Sequence, residues 1–338
     1  MKIPESKNTI NNLIDTYHES MQEKPRPHMG CSMLGHSCER WLWLSFRWAV
    51  IDKFPGRVLR LFRRGHMEEI TIVKDLQAIG IDIRATVASQ SRVDFGNHLS
   101  GSLDGIIHSG VPEARNTKHL AEFKTASDKK FKEFTKKGLE KANYQYYVQC
   151  QVYMRGAALT RALFLVVNKN DDSIYTERVR YDAAVADKYI KRGHRLVSSP
   201  RLPEPMSADP SWYECKWCAA YSLCHKGEGT TEVNCRTCAH STPTEDSEWH
   251  CDRHSGAVPV QFQREGCKSH AIHPDLVPDS WTQKDSPHEW SAVYDIDGRE
   301  VINGEDGHLY SELLANLDAC LSDDPELEGF KKMGKVVA

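Results

Sequence analysis

The chain has 338 residues, 40% hydrophobic and 27% charged, with a formal net charge of −3. That balance excludes collagen-like, low-complexity and wholly disordered chains, and the length admits one large domain with a smaller module or two ordinary domains. No run reaches the ~18 apolar residues of a membrane helix and MKIPESKNTINNL lacks the apolar core of a secretory signal, so the expectation is a cytoplasmic protein without a membrane partner.

Residues 5–22 carry a helical pattern (Ile10, Leu13, Ile14, Tyr17) closed by the proline-bearing segment Lys24 to Gly30. Two more helices are predicted, one from about Ser37 through Trp48 and one from Arg64 to about Ile79, where Gly80 suits a C-terminal cap. Ile83 to Ala88, His98 to Ile107 and His119 to Thr125 then read as three strands of a meander, separated by turn residues such as Gly96-Asn97 and Gly110-Val111-Pro112. A lysine-rich helix begins at Asp128 and an aromatic one spans Tyr144 to Ala158. Strands follow at Arg161 to Asn168 and Ile174 to Tyr181, then a helix over Asp182 to Val197. Beyond Ser198 prolines, serines, cysteines and histidines take over. Asp297-Gly298 predicts a hairpin and Leu309 to Leu321 a last helix before a polar tail.

Charge is unevenly placed. Asp275 to Ala338 holds 15 acidic and 5 basic residues, a net of −10 that leaves +7 on residues 1–274. Glu39 to Arg64 has seven Lys or Arg against two acids, and Lys124 to Lys141 has seven Lys against three. Such stretches suit a phosphate backbone, although Lys130, Lys132, Lys136 and Lys137 equally describe a solvated helix face. Tyr144, Tyr146 and Tyr147 suit stacking on unpaired bases, with core packing as the alternative.

Chemistry concentrates in two strand segments, GSLDGII with Asp104 and LAEFKT with Glu122 and Lys124. Residues two apart on a strand share a face, so Glu122 and Lys124 project together while Phe123 points into the core, and an antiparallel neighbour brings Asp104 beside them. Two carboxylates offer hard oxygen ligands for Mg²⁺ or Mn²⁺, and an adjacent ammonium can position or help deprotonate a water. An alternating charged strand on a solvated face spells the same letters, so the pattern needs company. That company is His66 in an earlier helix and Gln149 with Tyr153, one helical turn apart, in a later one. Glu68 and Glu69 could compete as ligands, with surface positions the preferred reading.

In that order, Gly65-His66, Leu103-Asp104-Gly105, Glu122-Phe123-Lys124 and Gln149-x3-Tyr153 resemble the PD-(D/E)XK nuclease superfamily. The likeness is to its RecB-like branch, which includes CRISPR-adaptation and AddB-type iron-sulfur exonucleases, over about residues 30–225. Leu103 stands where the family's usual proline precedes the first Asp. The resemblance implies an α/β fold, a mixed central sheet flanked by helices as in restriction endonucleases. It also implies that His66, Asp104 and Glu122 hold the metal with the Phe123 carbonyl, that Lys124 assists the attacking water, and that Gln149 and Tyr153 arrange the site and DNA.

The cysteines form two groups. Cys215, Cys218 and Cys224 are one short of a tetrahedral sulfur site, with Cys31 and Cys38 as upstream candidates for the fourth ligand. The resemblance implies a 4Fe-4S cluster here, and Cys38, followed by Glu39-Arg40-Trp41, fits its N-terminal cysteine better than Cys31. Structural zinc is the alternative, because thiolates suit both. Trp217 is expected to pack over this cluster. Cys235, Cys238, Cys251 and Cys267 read as a small Zn²⁺ module, with His254 and His270 as substitute ligands.

The expected organisation is a nuclease domain over 1–227, a four-cysteine zinc module over 228–275 and an acidic extension over 276–338. The expected function is metal-dependent exonuclease action on DNA with a free end, in recombination, repair or replication, with proteins of those processes meeting the C-terminal region. The appended cysteine module and acidic tail resemble phage-encoded members, which would work in host cytoplasm. The rival expectations are a non-catalytic, metal-stapled DNA-binding or partner-binding protein and a structure-specific endonuclease.

Overall fold

The computed structural model describes residues 9–84 and 91–321. The end of the strand expected at Ile83 to Ala88 and the acidic tail from 322 onward lie outside the described residues.

In chain order the elements are α1 (Ile10–Ser20), β1 (Met29–Gly30), α2 (Glu39–Phe46), α3 (Gly56–Ala78), β2 (Asp82–Arg84), β3 (Arg92–Asp94), β4 (Leu99–Ser102), β5 (Gly105–Ser109) and β6 (His119–Ala126). Then come α4 (Asp128–Ala142), α5 (Tyr144–Gly156), β7 (Arg161–Asn168), β8 (Ile174–Arg180) and α6 (Ala183–Val197). The remainder are α7 (Tyr221–His225), β9 (Ser241–Pro243), β10 (Trp249–Cys251), β11 (Gly256–Ala257), α8 (Val260–Gln263), β12 (Thr282–Lys284), β13 (Ser291–Ile296), β14 (Arg299–Gly304) and α9 (Tyr310–Leu321). Among the described residues no helix is long and apolar enough to cross a membrane.

The chain divides into two compact units, one of residues 1–36 and 52–195, the other of 37–51 and 196–338. Residues 196–227, expected with the nuclease body, therefore belong with the C-terminal elements, and α2 belongs with them too. The reason is local packing: Trp43 of α2 donates its indole N–H to the Ser199 carbonyl at 2.9 Å, and Arg40 donates to the Pro203 carbonyl at 2.7 Å.

The first unit is mixed α/β. Its five-stranded sheet runs β2-β5-β6-β7-β8, antiparallel except for the parallel β6–β7 pair. A parallel pair needs a crossover, and α4 with α5 supply it. One face of the sheet meets α3, where Ile72 and Leu76 join Ala121, Phe123, Leu163 and Leu165 in a buried cluster. The other face meets α4 and α5, with Phe134 and Phe164 ring centroids 5.5 Å apart.

Two expectations change here. The strand expected from His98 to Ile107 is two strands in two sheets: β4 pairs with β1 and β3, whereas β5 enters the five-stranded sheet. The chain crosses between them at Leu103-Asp104, flanked by Gly101 and Gly105, so two glycines mark a break that the apolar pattern hides. The helix expected from Arg64 starts a further two turns earlier. Pro55 and Gly56, turn residues by composition, open α3 instead, and a Cβ on Gly56 would stand 2.4 Å from the Asp15 carbonyl oxygen of α1, so only glycine lets the helices meet.

The second unit packs α2 against loop-rich chain, two three-stranded antiparallel sheets, β9–β10–β11 and β12–β13–β14, and α9. Its core includes Trp43, Leu44, Ile272, Leu276, Tyr294 and Tyr310. Arg236 is fully buried, its guanidinium 3.7 Å from the Trp48 ring centroid and 4.9 Å from that of Trp249, and it donates to the Phe46 carbonyl and the Gln263 side chain. Aromatic faces and fixed acceptors thus stand in for the water a buried cation loses.

Candidate active site

Strand β6 places the central groups. Its alternation sends Phe123 (1% exposed) into the α3 face and turns Glu122 and Lys124 toward α5. β5 pairs antiparallel with Gly105 opposite Ala121, so Asp104, just before β5, falls opposite Glu122. The Asp104 carboxylate secures that position by accepting the Phe123 backbone N–H at Oδ2, 2.8 Å away.

Glu122 is wholly buried, and its two oxygens are treated differently. Oε1 accepts from the Lys124 ammonium and from Gln149 Nε2, the latter at 2.7 Å, whereas Oε2 is buried with no hydrogen-bond partner. Lys124 also donates to the Phe123 carbonyl at 3.1 Å, lies 5.2 Å from the Tyr146 ring centroid and keeps 21% of its side chain exposed. Burial drives the Glu122 carboxyl up, to about 8, against the pull of Lys124; Asp104 pushes the same way as burial. Burial works against the Lys124 ammonium, but Glu122 and Asp104 outweigh it and hold the lysine protonated.

Tyr153 lies one turn beyond Gln149 on α5, 3% exposed, its hydroxyl pushed up first by burial and then by Glu122. It packs on β4: a Cβ on Gly101 would meet Tyr153 Cε1 at 2.7 Å and its hydroxyl oxygen at 2.8 Å. Tyr144 is 42% exposed, Tyr146 and Tyr147 are half-buried, and Tyr146 also meets Phe164, so the aromatic trio divides between surface and core.

His66 and Glu69 are one turn apart on α3. Glu69 is raised by burial first and then by Asp104, and is held down by Lys124 and His66, so these four groups stand in one electrostatic neighbourhood. Glu69 thus stands with the site, as the alternative of a competing ligand had it, rather than at the preferred surface position. The signal available in the sequence was its spacing of three from His66.

The donor set suits a divalent cation. Asp104 and Glu122 offer hard oxygens, and the orphaned Oε2 is a buried acceptor that a cation would satisfy. Among the described residues, no three His, Cys, Asp or Glu side chains stand together as a finished metal cage.

The cysteines sort by unit. Cys38, Cys215, Cys218 and Cys224 all belong to the second unit, and Cys38 acts on both Cys215 and Cys224, whose thiols are raised first by burial. Cys31 belongs to the first unit, fully buried, with Asp94 and Arg92 as its charged neighbours; burial pushes its thiol up to about 12. Trp217 is 85% exposed, contrary to the expectation that it covers a cluster, because its ring is turned outward beside Lys216. Cys267 and Cys251 act on Cys235, and Cys267 and Cys235 on Cys238, although among the described residues these thiols do not gather as a group of three that could hold a metal. Burial raises Cys235 to about 11 and Cys238 to about 12, with Cys267 acting on both. The Cys235 thiol faces the Phe262 and Glu265 carbonyls at 3.6 and 3.5 Å, and Cys267 lies 3.8 Å from His254 Nε2. His270 is buried and hydrogen-bonds to Thr237.

No family model matches the chain, and no curated protein matches it. Among solved structures it resembles the protein SSO0001 at 14% identity and TM-score 0.41, over 64% of this chain and 95% of that one. It also resembles an alkaline exonuclease (LHK-Exo) from Laribacter hongkongensis at 15% identity and TM-score 0.35, over 54% of this chain and 90% of that one. The complex of LHK-Exo with dAMP matches at 12% identity and TM-score 0.35, over 51% and 86%.

Proposed function

We propose that this chain is a metal-dependent deoxyribonuclease that hydrolyses phosphodiester bonds at DNA ends, built on a PD-(D/E)XK core. The observation that carries the proposal is the buried Glu122 carboxylate beside Asp104, with one oxygen held by Lys124 and Gln149 and the other without a donor. A fully buried carboxylate left half-satisfied is costly to a fold, and such groups mark sites where a ligand completes the arrangement.

His66, Asp104 and Glu122, with the Phe123 carbonyl, would hold Mg²⁺ or Mn²⁺. When bound, that ion would polarise the phosphate and make a water acidic enough to attack at neutral pH. The residues contribute the rest. Gln149 fixes Glu122 Oε1, and the Phe123 N–H fixes Asp104, so neither carboxylate must reorient when substrate arrives. Lys124 stays an ammonium under the influence of Glu122 and Asp104, so it orients the attacking water and offsets charge growing on the phosphate rather than removing the proton.

The remaining parts of the proposal follow from the resemblance and the thiol chemistry. Cys38, Cys215, Cys218 and Cys224 would hold a 4Fe-4S cluster, or zinc, and Cys235, Cys238, Cys251 and Cys267 a structural Zn²⁺. DNA recombination, repair or replication in a cytoplasm is the proposed setting.

The deciding experiment is cleavage of end-labelled linear and circular DNA, single- and double-stranded, with Mn²⁺, Mg²⁺ or EDTA, by anaerobically purified protein and Lys124→Ala. Metal-dependent loss of linear substrates by the wild type alone is expected. Cutting of the circles would make the enzyme an endonuclease, and full activity in Lys124→Ala would overturn the site.

A further inference from the structure

The face of the sheet opposite Glu122 and Lys124 carries a second group of charges. Ala121, Phe123, Leu163 and Leu165 point to that face, so alternation places His119 on β6, Arg161 on β7 and Arg178 and Arg180 on β8 there as well. The register sets them side by side. The step before the Leu120/Ala162 pair puts His119 beside Arg161, Arg161 pairs with Arg180, and Arg178 pairs with Leu163 one row along. Neighbouring strands are ~4.8 Å apart, so these groups share one small area.

That area has a buried floor and an exposed rim. His119 is 0% exposed and Arg180 is exposed, with Arg161 and Arg178 between. His119 Nδ1 lies 2.8 Å from the Thr117 carbonyl oxygen, which can only accept, so Nδ1 carries the hydrogen and Nε2 is left buried with no partner. Nη1 of Arg178 is buried without a partner as well. Arg161 donates to the Thr160 carbonyl at 2.7 Å. Among the described residues none of the three arginines has an ion-pairing carboxylate; the acid acting on His119 is Glu113, outweighed by Arg178 and Arg161. Arg178 Nη1 is an unused donor and the bare His119 Nε2 an unused acceptor, so the pair suits a phosphate that still carries a hydrogen: its anionic oxygens take the guanidinium forks and its P–OH donates to Nε2.

We propose that His119, Arg161 and Arg178 form an oxyanion site that takes a phosphate group, on the face of the sheet away from the candidate catalytic carboxylates. Free phosphate and the monoester of a mononucleotide can keep such a hydrogen near neutral pH, whereas the phosphodiester of a nucleic-acid backbone has none to give to Nε2. None of the three residues belongs to the carboxylate site, so the proposal stands independently of the hydrolase reading.

The test uses the full chain labelled with ¹⁵N-histidine, in EDTA to silence hydrolysis, at ionic strength held constant with chloride. Inorganic phosphate, a deoxynucleoside monophosphate and a short single-stranded oligonucleotide are titrated in turn while the His119 Nε2 resonance, assigned through His119→Gln, is followed. A saturable shift is expected, weakened at least ~10-fold by Arg178→Leu, a change equivalent to about 1.4 kcal/mol. The oligonucleotide is expected to bind at least ~10-fold more weakly than phosphate or the monophosphate, and an oligonucleotide that binds as tightly as either overturns the P–OH donation to Nε2 and the site with it. No shift with any of the three, or a shift undiminished in Arg161→Leu/Arg178→Leu, overturns the proposal and leaves the two orphaned atoms to an internal water. Should the arginine variants fail to fold, the wild-type titration alone decides.

Discussion

Gln149 reaches across from α5 to give its amide hydrogen to Glu122 Oε1 at 2.7 Å, which makes a crossover helix responsible for the posture of a strand carboxylate. Partners that orient a ligating group typically cost ~10–100-fold in metal affinity or activity when removed. Gln149→Leu is therefore expected to raise the Mn²⁺ concentration needed for half-maximal cleavage within that range, with little change in fold. Titrating activity against Mn²⁺ checks this; an unchanged curve would show the hydrogen bond to be structural only.

Glu122 also predicts a pH dependence. Its folded-state value is raised by burial to about 8, above the ~4.3 of an unfolded glutamate, so the folded state binds the extra proton. The stability this contributes is complete below the unfolded value and is lost as pH rises through the folded one. In EDTA the wild type should lose stability between about pH 4.3 and 8, and Glu122→Gln should flatten that slope. Urea melts at several pH values compare the slopes, which matter here more than absolute stabilities because the substitution also frees Lys124.

Lys124→Ala should lower the cleavage rate by ~10²–10³, the usual cost of losing one donor that stabilises charge growing in the transition state. Its Kd for DNA, measured by anisotropy in EDTA, should weaken much less. An equal loss in both measurements would make Lys124 a binding residue.

Gly101→Ala tests the seat of Tyr153. The added methyl would fall 2.7 Å from Tyr153 Cε1 and 3.1 Å from Cys31 Cβ, so the ring must shift. Overpacking of this kind costs ~1–3 kcal/mol, measurable as a lower urea midpoint. The pairing of Tyr153→Ala with Gly101→Ala should recover part of that loss, since the two then no longer collide.

For the thiols, metal analysis of anaerobically purified protein separates iron from zinc. Cys215→Ser should remove the metal of the first group and Cys251→Ser that of the second, each without stripping the other. Trp217→Ala should leave both contents and the melting temperature unchanged, because an 85% exposed ring packs on little.

The sequence showed most of what alternation and turn chemistry can encode. Asp297 and Gly298 both take positive φ, 53° and 81°, as the expected two-residue hairpin requires. His119 to Ala126 and Arg161 to Asn168 are continuous enough to read as strands before any partner is known, and Glu122 with Lys124 fell on one face as period two demands. Features set by distant chain were hidden. Leu103-Asp104 looks like the middle of a strand, because the sheet change there depends on β1 and β3. Choosing between ligand and surface for Glu69 needed the position of β6, and the burial of Arg236 needed the Trp48 and Trp249 rings beside it.

The parallel pairing of β6 with β7 has a consequence for synthesis. A chain emerging from the ribosome as far as residue 142 already carries Asp104, Glu122 and Lys124, yet it lacks Gln149 and the strand against which β6 docks. Long-range closure of this kind is slow compared with local helix formation. Completion of the carboxylate pair thus waits for the second half of the unit, and a truncated nascent chain is expected to be inert toward DNA even though every charged member of its central trio has been translated.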